Sequence, residues 1–253
     1  MNNENLKDSS RAMSKSTTII VASVIIAGAI VIGSAILSGE KGGVISTTKN
    51  SDLKAQVGTI TKKEIGIDET FLEKCLSESQ KYQDLVNEDF FSGKVAGAKG
   101  TPYNIILLKD GTTIVIPGAL PFEDEISPEG EIVMIGMKSR ISAILSSQSK
   151  DLSSIAEDIN LSPITKDDHL MGSENSEIII VEYSDIDCPF CKRFHPTMEK
   201  IVKEFSGQVA WVYRHFPIDE LHPEARKKAE ISECIADLKG EEAFWKYLES
   251  VIY

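Results

Sequence analysis

Residues 183–196 read YSDIDCPFCKRFHP. Two cysteines, Cys188 and Cys191, stand two residues apart, and His195 follows four later. Such a pair serves as metal ligands, as a redox couple or as a static bridge, and the flanking residues bear on the choice. Upstream, SEIIIVEYS runs Ile178, Ile179, Ile180 and Val181 together, the pattern of a strand covered on both faces. Downstream, FHPTMEKIVKEF has helical spacing. Cys188 is therefore expected where a strand ends and a helix begins. Unpaired amide groups and the helix dipole stabilise an anion there, which lowers a thiol's pKa and makes its thiolate an attacking nucleophile. Pro189 suits the first helical turn, where its missing N–H costs nothing. Cys191, one turn on, is placed to resolve a mixed disulfide. Glu182, six residues before Cys188 in the strand, is a candidate to exchange a proton with the Cys191 thiol, and a paired core carboxylate is the plainer alternative. A structural zinc site on Cys188, Cys191 and His195 wants a fourth ligand, and no second pair is spaced to supply it. A bridge inside one helical turn staples little.

The chain has 253 residues, enough for one or two domains. A net charge of −12 argues against a nucleic-acid partner, which wants clustered Lys and Arg. Residues 16–37, STTIIVASVIIAGAIVIGSAIL, carry no charge. As a helix they reach ~33 Å, enough for a ~30 Å hydrocarbon layer, so a single-pass transmembrane anchor is expected over 16–38, with a cleaved secretory signal, whose apolar region is shorter at ~7–15 residues, as the alternative. Lys7, Arg11 and Lys15 precede it, which places a cytoplasmic tail at 1–15 and the remainder on the extracytoplasmic side of a cell membrane. That compartment tolerates disulfides.

Residues 39–65 are rich in Gly, Ser, Thr and Lys and read as a linker. From Asp68, an expected cap, DETFLEKCLSESQ and KYQDLVNEDFFSGKVAGA have helical faces. PYNIILLKDGTTIVIPGALP holds two apolar runs, 104–108 and 113–116, joined through KDG, a hairpin signal. EIVMIGMKSRISAILSS predicts a helix over 132–146, and 148–170 reads as a second linker. QVAWVYRHF is an expected strand; HPEARKKAEISECIADL and EEAFWKYLESVIY are expected helices. His215 and His222 lack zinc spacing and read as structural; Trp211 and Trp245 read as core. For His195, modulation of the cysteines and a solvated helix face stand level.

From about residue 168 to the end, DHLMGSENSEIIIVEYSDIDCPFCKRFHPTMEKIVKEF, VAWVYRHFPIDELHPEARKKAEISECIAD and FWKY resemble the first half of a DsbA-like thiol–disulfide oxidoreductase. The resemblance implies an α/β thioredoxin-like fold with an inserted helical subdomain. It also implies a second half with a cis-proline loop, a closing hairpin and a helix, and residues 66–123 are similar to that half. Gly100, Thr101 and Pro102 stand where the family has its cis-proline, and PGALPFE resembles its closing strand and turn. The halves thus follow one another in permuted order, 66–147 as the C-terminal-type half and 171–253 as the N-terminal-type half. One helix of the family's insertion is missing, with only KKEIGIDE in its place.

Several roles come with the resemblance. Thr101 and Pro102 would shape the substrate groove, and Pro189 and Phe190 would tune the redox pair, Phe190 towards a less oxidising one. Cys75 and Cys234 match a structural disulfide of some relatives. The activity implied is disulfide formation or exchange in exported, cysteine-containing proteins, with a membrane redox partner recycling the pair. No cofactor or metal is implied beyond the redox-active disulfide. Two alternatives stay open, a non-catalytic permuted relic serving as a membrane-tethered binding module, and a metal-handling domain that uses the same cysteines.

Overall fold

A computed structural model describes residues 65–146 and 152–252. The expected tail, the expected anchor and nearly all of the first linker lie outside the described residues. Among the described residues, no helix is long and apolar enough to cross a membrane.

Two helices come first, α1 (Glu69–Ser77) and α2 (Ser79–Val95). Asp68 caps α1, its side chain accepting the Phe71 N–H at 2.9 Å. The hairpin follows as β1 (Tyr103–Leu108) and β2 (Thr113–Pro117). In its turn Gly111 takes φ +86°, its N–H donates to Leu108 O at 2.9 Å, and Asp110 accepts the Thr112 N–H at 2.9 Å. Next come β3 (Glu125–Ile126), β4 (Ile132–Met134), α3 (Met137–Ser146) and β5 (His169–Met171). The remaining elements are β6 (Ile178–Ser184), α4 (Pro189–Glu204), β7 (Val209–His215), α5 (Ala225–Lys239) and α6 (Glu241–Ile252).

Five strands form one sheet in the order β2-β1-β6-β7-β5. β6 and β7 are parallel, and the other neighbours are antiparallel. In the β1–β6 register Asn104 stands opposite Glu182 and Tyr103 opposite Tyr183. Strands from both stretches of the chain therefore meet side by side at the centre of one sheet.

Side chains alternate across a strand, and this sorts the core into two layers. Ile178 and Ile180 pack with Trp211 and Tyr213 of β7, Phe194, Met198 and Ile201 of α4, and Met137 and Ile141 of α3. Val181 and Tyr183 pack on the opposite face with Ile105, Val212 and Phe216, closed by Ala96 and Ala98. Each such buried Ile or Phe contributes roughly 1.5–3 kcal/mol over an exposed one. The same alternation puts Glu182 and Ser184 on the α4 face, and both are fully buried.

The helix expected over 132–146 splits. Residues 132–134 pair with 125–126 as a small hairpin, and α3 starts only at Met137. Gly136 marks the break, since a Cβ there would run into the Glu123 and Phe122 backbone. Its N–H donates to Asp124 Oδ1 at 2.7 Å, and Ser139 Oγ donates to Asp124 Oδ2 at 2.9 Å. A carboxylate twelve residues upstream thus caps the helix.

The stretch 148–170 is expected as a linker, and its described residues 152–170 carry structure. Ile159, Leu161 and Ile164 pack on the Val181 face of the sheet, and β5 begins at His169 as an edge strand on β7. Arg214 ties this strap down. Its Nε donates to Asp168 Oδ1 at 2.7 Å, Nη2 to Asp168 Oδ2 at 3.1 Å and Pro163 O at 3.0 Å, and Nη1 to Ser162 O at 3.2 Å. Elsewhere α5 packs on α1, α2 and α6. Cys75 of α1 and Cys234 of α5, the pair the resemblance implies, are joined by a disulfide with Cα atoms 5.5 Å apart.

Candidate active site

β6 ends at Ser184, and Asp185 organises the loop that follows. Its Oδ1 accepts the Asp187 N–H at 2.9 Å, and its Oδ2 accepts the Ile218 N–H at 2.7 Å and lies 2.8 Å from His222 Nδ1. Its carbonyl accepts the Cys188 N–H at 3.0 Å. Cys188 is thereby fixed as the N-cap of α4, with Pro189 in the first turn.

The two thiols are unbonded and differ sharply. Cys188 is lowered to about 5, chiefly by a hydrogen bond from Cys191. Burial opposes this, while the Thr101 hydroxyl and the N–H groups of Cys191 and Phe190 add to it. Cys191, fully buried, is pushed well above the ordinary thiol range, first by burial, then by its bond to Cys188 and the nearby charges of Glu182 and Cys188. The Ser184 hydroxyl draws it part of the way back. The sequence points to amides and the helix dipole as the stabilisers of the Cys188 thiolate. Those amides contribute, but the second cysteine contributes most.

Thr101 and Pro102 come from the far side of the sheet order and meet this helix start. The Thr101–Pro102 bond is cis, and Cys188 Sγ donates to Thr101 O at 3.5 Å across 87 residues of sequence. On ionising, Sγ has the buried Thr101 hydroxyl to accept from, a group that bonds nothing else among the described residues. Pro102 O accepts the Gly118 N–H at 3.0 Å, which pins the loop to the end of the hairpin. Phe190 between the cysteines is half exposed, with the Arg193 guanidinium 4.9 Å from its ring centroid.

Behind the cysteines, Glu182 is fully buried and neither carboxylate oxygen accepts a hydrogen bond among the described residues. His195 Nε2 lies 3.5 Å from its Oε1 and 3.3 Å from Ser184 Oγ. The solvated face weighed for His195 is thus corrected: the ring is 3% exposed and meets Trp211 and Tyr213 edge-on at 5.0 and 5.5 Å. Its turn of α4 faces the sheet because Cys191, Phe194 and Met198 share that side. Ser184, Asp185, Asn104 and Tyr213 are site neighbours that sequence reasoning missed. A signal for Ser184 existed, since counting by twos along β6 from Ile180 reaches Glu182 and then Ser184.

A second buried polar cluster lies where β5 meets the helices. His169 Nε2 is 3.1 Å from Glu233 Oε1, its Nδ1 is 3.0 Å from Glu241 Oε1, and His215 Nε2 is 3.3 Å from Glu233 Oε1. Burial opposes charge on His169, yet the two carboxylates overcome it and raise the ring to about 10. Burial likewise opposes Glu233, and the two histidines overcome it and lower the carboxyl to about 2. His169 is thus an imidazolium locking β5 to α5 and α6. Its stabilisation is complete below the unfolded value of 6.5 and is lost as pH rises through about 10. That of Glu233 is complete above 4.5 and is lost as pH falls through about 2. His169→Gln leaves Glu233 buried without its main counter-charge and should cost about 3 kcal/mol in urea denaturation at pH 6. The gap to the parent protein should narrow towards pH 10, and equal stability at pH 6 would contradict the ion-pair account.

A thioredoxin family model matches residues 164–253, which include Glu182, Cys188, Cys191 and His195. The chain is 37% identical over 87 residues to a Na(+)/H(+) antiporter NhaA 1 of Mycolicibacterium vanbaalenii, covering 34% of this chain and 14% of that protein. It is 30% identical over 84 residues to the Na(+)/H(+) antiporter NhaA of Herminiimonas arsenicoxydans, covering 33% and 13%. The chain spans about one seventh of the length of these curated relatives. Among solved structures, Pseudomonas aeruginosa DsbA2 is 31% identical over 35% of this chain and 48% of that one, with a TM-score of 0.32. Residues 164–253 are therefore thioredoxin-like and α/β.

Proposed function

We propose that this chain is a thiol–disulfide oxidoreductase of DsbA-like type, working through Cys188 and Cys191. The observation that carries the reading is the unequal pair at the start of α4, an acidic thiol facing Thr101–Pro102 and a buried resolving thiol behind it.

In the oxidising direction a substrate thiolate attacks Cys188 Sγ of the Cys188–Cys191 disulfide. That S–S bond breaks, Cys191 leaves as a thiolate and takes up a proton, and the substrate is held as a mixed disulfide on Cys188. A second substrate thiolate attacks the substrate sulfur of that bond, and Cys188 leaves as a thiolate. The substrate dithiol loses two electrons, and the cysteine pair gains them. A thiol lowered to about 5 is a good leaving group and stabilises the reduced pair, which favours this direction. Glu182 serves the proton step at Cys191, and Thr101 with Pro102 presents backbone to the substrate chain.

The same reading takes the domain as a circular permutation. Its support is that β1, with Thr101 and Pro102 before it, pairs beside β6 although it precedes β6 by some seventy residues. The natural ends of compact domains often lie close together, so such rewiring is tolerated. An extracytoplasmic, membrane-anchored setting fits the uncharged run at 16–37 and the Cys75–Cys234 disulfide. In that setting the substrates are exported cysteine-containing proteins, and a membrane redox partner reoxidises the pair. The test is oxidation of a reduced, unfolded protein by the parent chain and by Cys188→Ser.

A further inference from the structure

We propose that His195 is a positioning residue of the redox site, holding the proton that Cys191 gives up, with Ser184 as the bridge and Glu182 as the counter-charge. The inference rests on the oxidoreductase reading and extends it to a residue on α4.

Four observations meet here. Cys191 is completely buried, so its proton cannot leave directly to water. The Ser184 hydroxyl favours the Cys191 thiolate, and its Oγ is 3.3 Å from His195 Nε2. Among the described residues neither oxygen of the buried Glu182 is hydrogen-bonded, and a buried carboxylate of that kind demands a nearby charge partner. The imidazole, with Nε2 at 3.5 Å from Oε1, is such a partner once protonated. Trp211 and Tyr213 pack against this ring, with centroids 5.0 and 5.5 Å away.

The proton step balances without any further reactant. When Cys191 is to attack, its S–H proton passes to Ser184 Oγ while the Ser184 O–H proton passes to His195 Nε2. The Cys191 thiolate then attacks the Cys188 sulfur of the mixed disulfide and expels the substrate thiolate. When Cys191 is instead the leaving group, the same protons travel back. A neutral imidazole accepts the proton, an imidazolium returns it, and Glu182 lies beside the cation in both directions. The other titratable or polar groups facing this chain are Cys188 on α4, Tyr213 on β7, Asp185 in the loop after β6, and Asn104 opposite Glu182 on β1. Tyr213, raised well above the usual range by burial and then by the charges of Cys191 and Glu182, stays a neutral neighbour near pH 7.

The test uses 5,5′-dithiobis(2-nitrobenzoate) on the reduced protein. The first thionitrobenzoate release reports attack by Cys188, and the second reports attack by Cys191. His195→Leu, His195→Gln and Ser184→Ala should each slow the second release roughly tenfold or more at pH 7 and move its pH midpoint upward. The first release should keep its rate and profile. The double variant Ser184→Ala with His195→Gln should be no slower than either alone. Glutamine keeps the volume and polarity of the position but cannot take up a proton, so it separates holding a proton from merely filling space. A parent-like second release in His195→Gln, with a parent-like circular dichroism spectrum, overturns the proposal. If His195→Leu does not fold, Ser184→Ala and His195→Gln decide. A slow first release in the parent protein would count instead against the oxidoreductase reading itself.

Discussion

Cys188→Ser is expected to abolish disulfide exchange, with a fall on the order of 10³-fold or more in the oxidation of a reduced substrate protein. The size follows from the chemistry. A hydroxyl near neutral pH is a far weaker nucleophile than a thiolate, and a serine oxygen cannot enter a disulfide. A thiol lowered to about 5 is almost wholly thiolate at pH 7, whereas an ordinary cysteine at ~8.5 is a few per cent ionised. Removing Cys188 therefore takes away the attacking atom and the charge that α4 and Thr101 are built to hold. Folding should be largely spared, because serine is close in size and the capping position accepts it well. The relic reading makes the opposite prediction, no difference between parent and variant. Stoichiometric metal that protects both thiols from alkylation would favour the metal-handling reading.

The second large effect concerns stability. Replacing Cys75 and Cys234 together by alanine should lower the unfolding free energy by up to about 5 kcal/mol, seen as a drop in urea midpoint. The bridge closes a sequence separation of 159 residues, and the entropy it removes from the unfolded chain rises with the logarithm of that length. It ties α1, near the start of the described chain, to α5, near its end. The second TNB release of the folded variant should match the parent. An unchanged urea midpoint would show that helix packing alone holds these elements together.

The sequence carried much of this fold because its strongest signals are local. The β-branched run at 178–181 and the KDG turn between two apolar runs each specify their element within a few residues. The cysteine pair sits at a strand–helix boundary that those signals bracket. What stayed illegible depends on distant partners. β5 is only three residues long, too short for any period, and exists because β7 offers it an edge. Ile132 and Val133 are apolar yet exposed, so their pattern continues the helix, whereas Asp124, far away in sequence, caps it at Gly136. His195 reads equally well as solvated, because one helix turn does not announce which neighbour will cover it. The Glu182–His195–Ser184 grouping joins a strand to a helix, and only the packing of α4 on β6 brings it together.

The two cysteines of CPFC are chemically unequal, and alkylation of the reduced protein reads that inequality at each sulfur. Iodoacetamide labelling between pH 3 and 10, read by mass spectrometry at each cysteine, should show Cys188 reaching half its maximal rate near pH 5. Cys191 should stay unlabelled through neutral pH. Both thiols rising together in the ordinary range near pH ~8.5 would contradict the account.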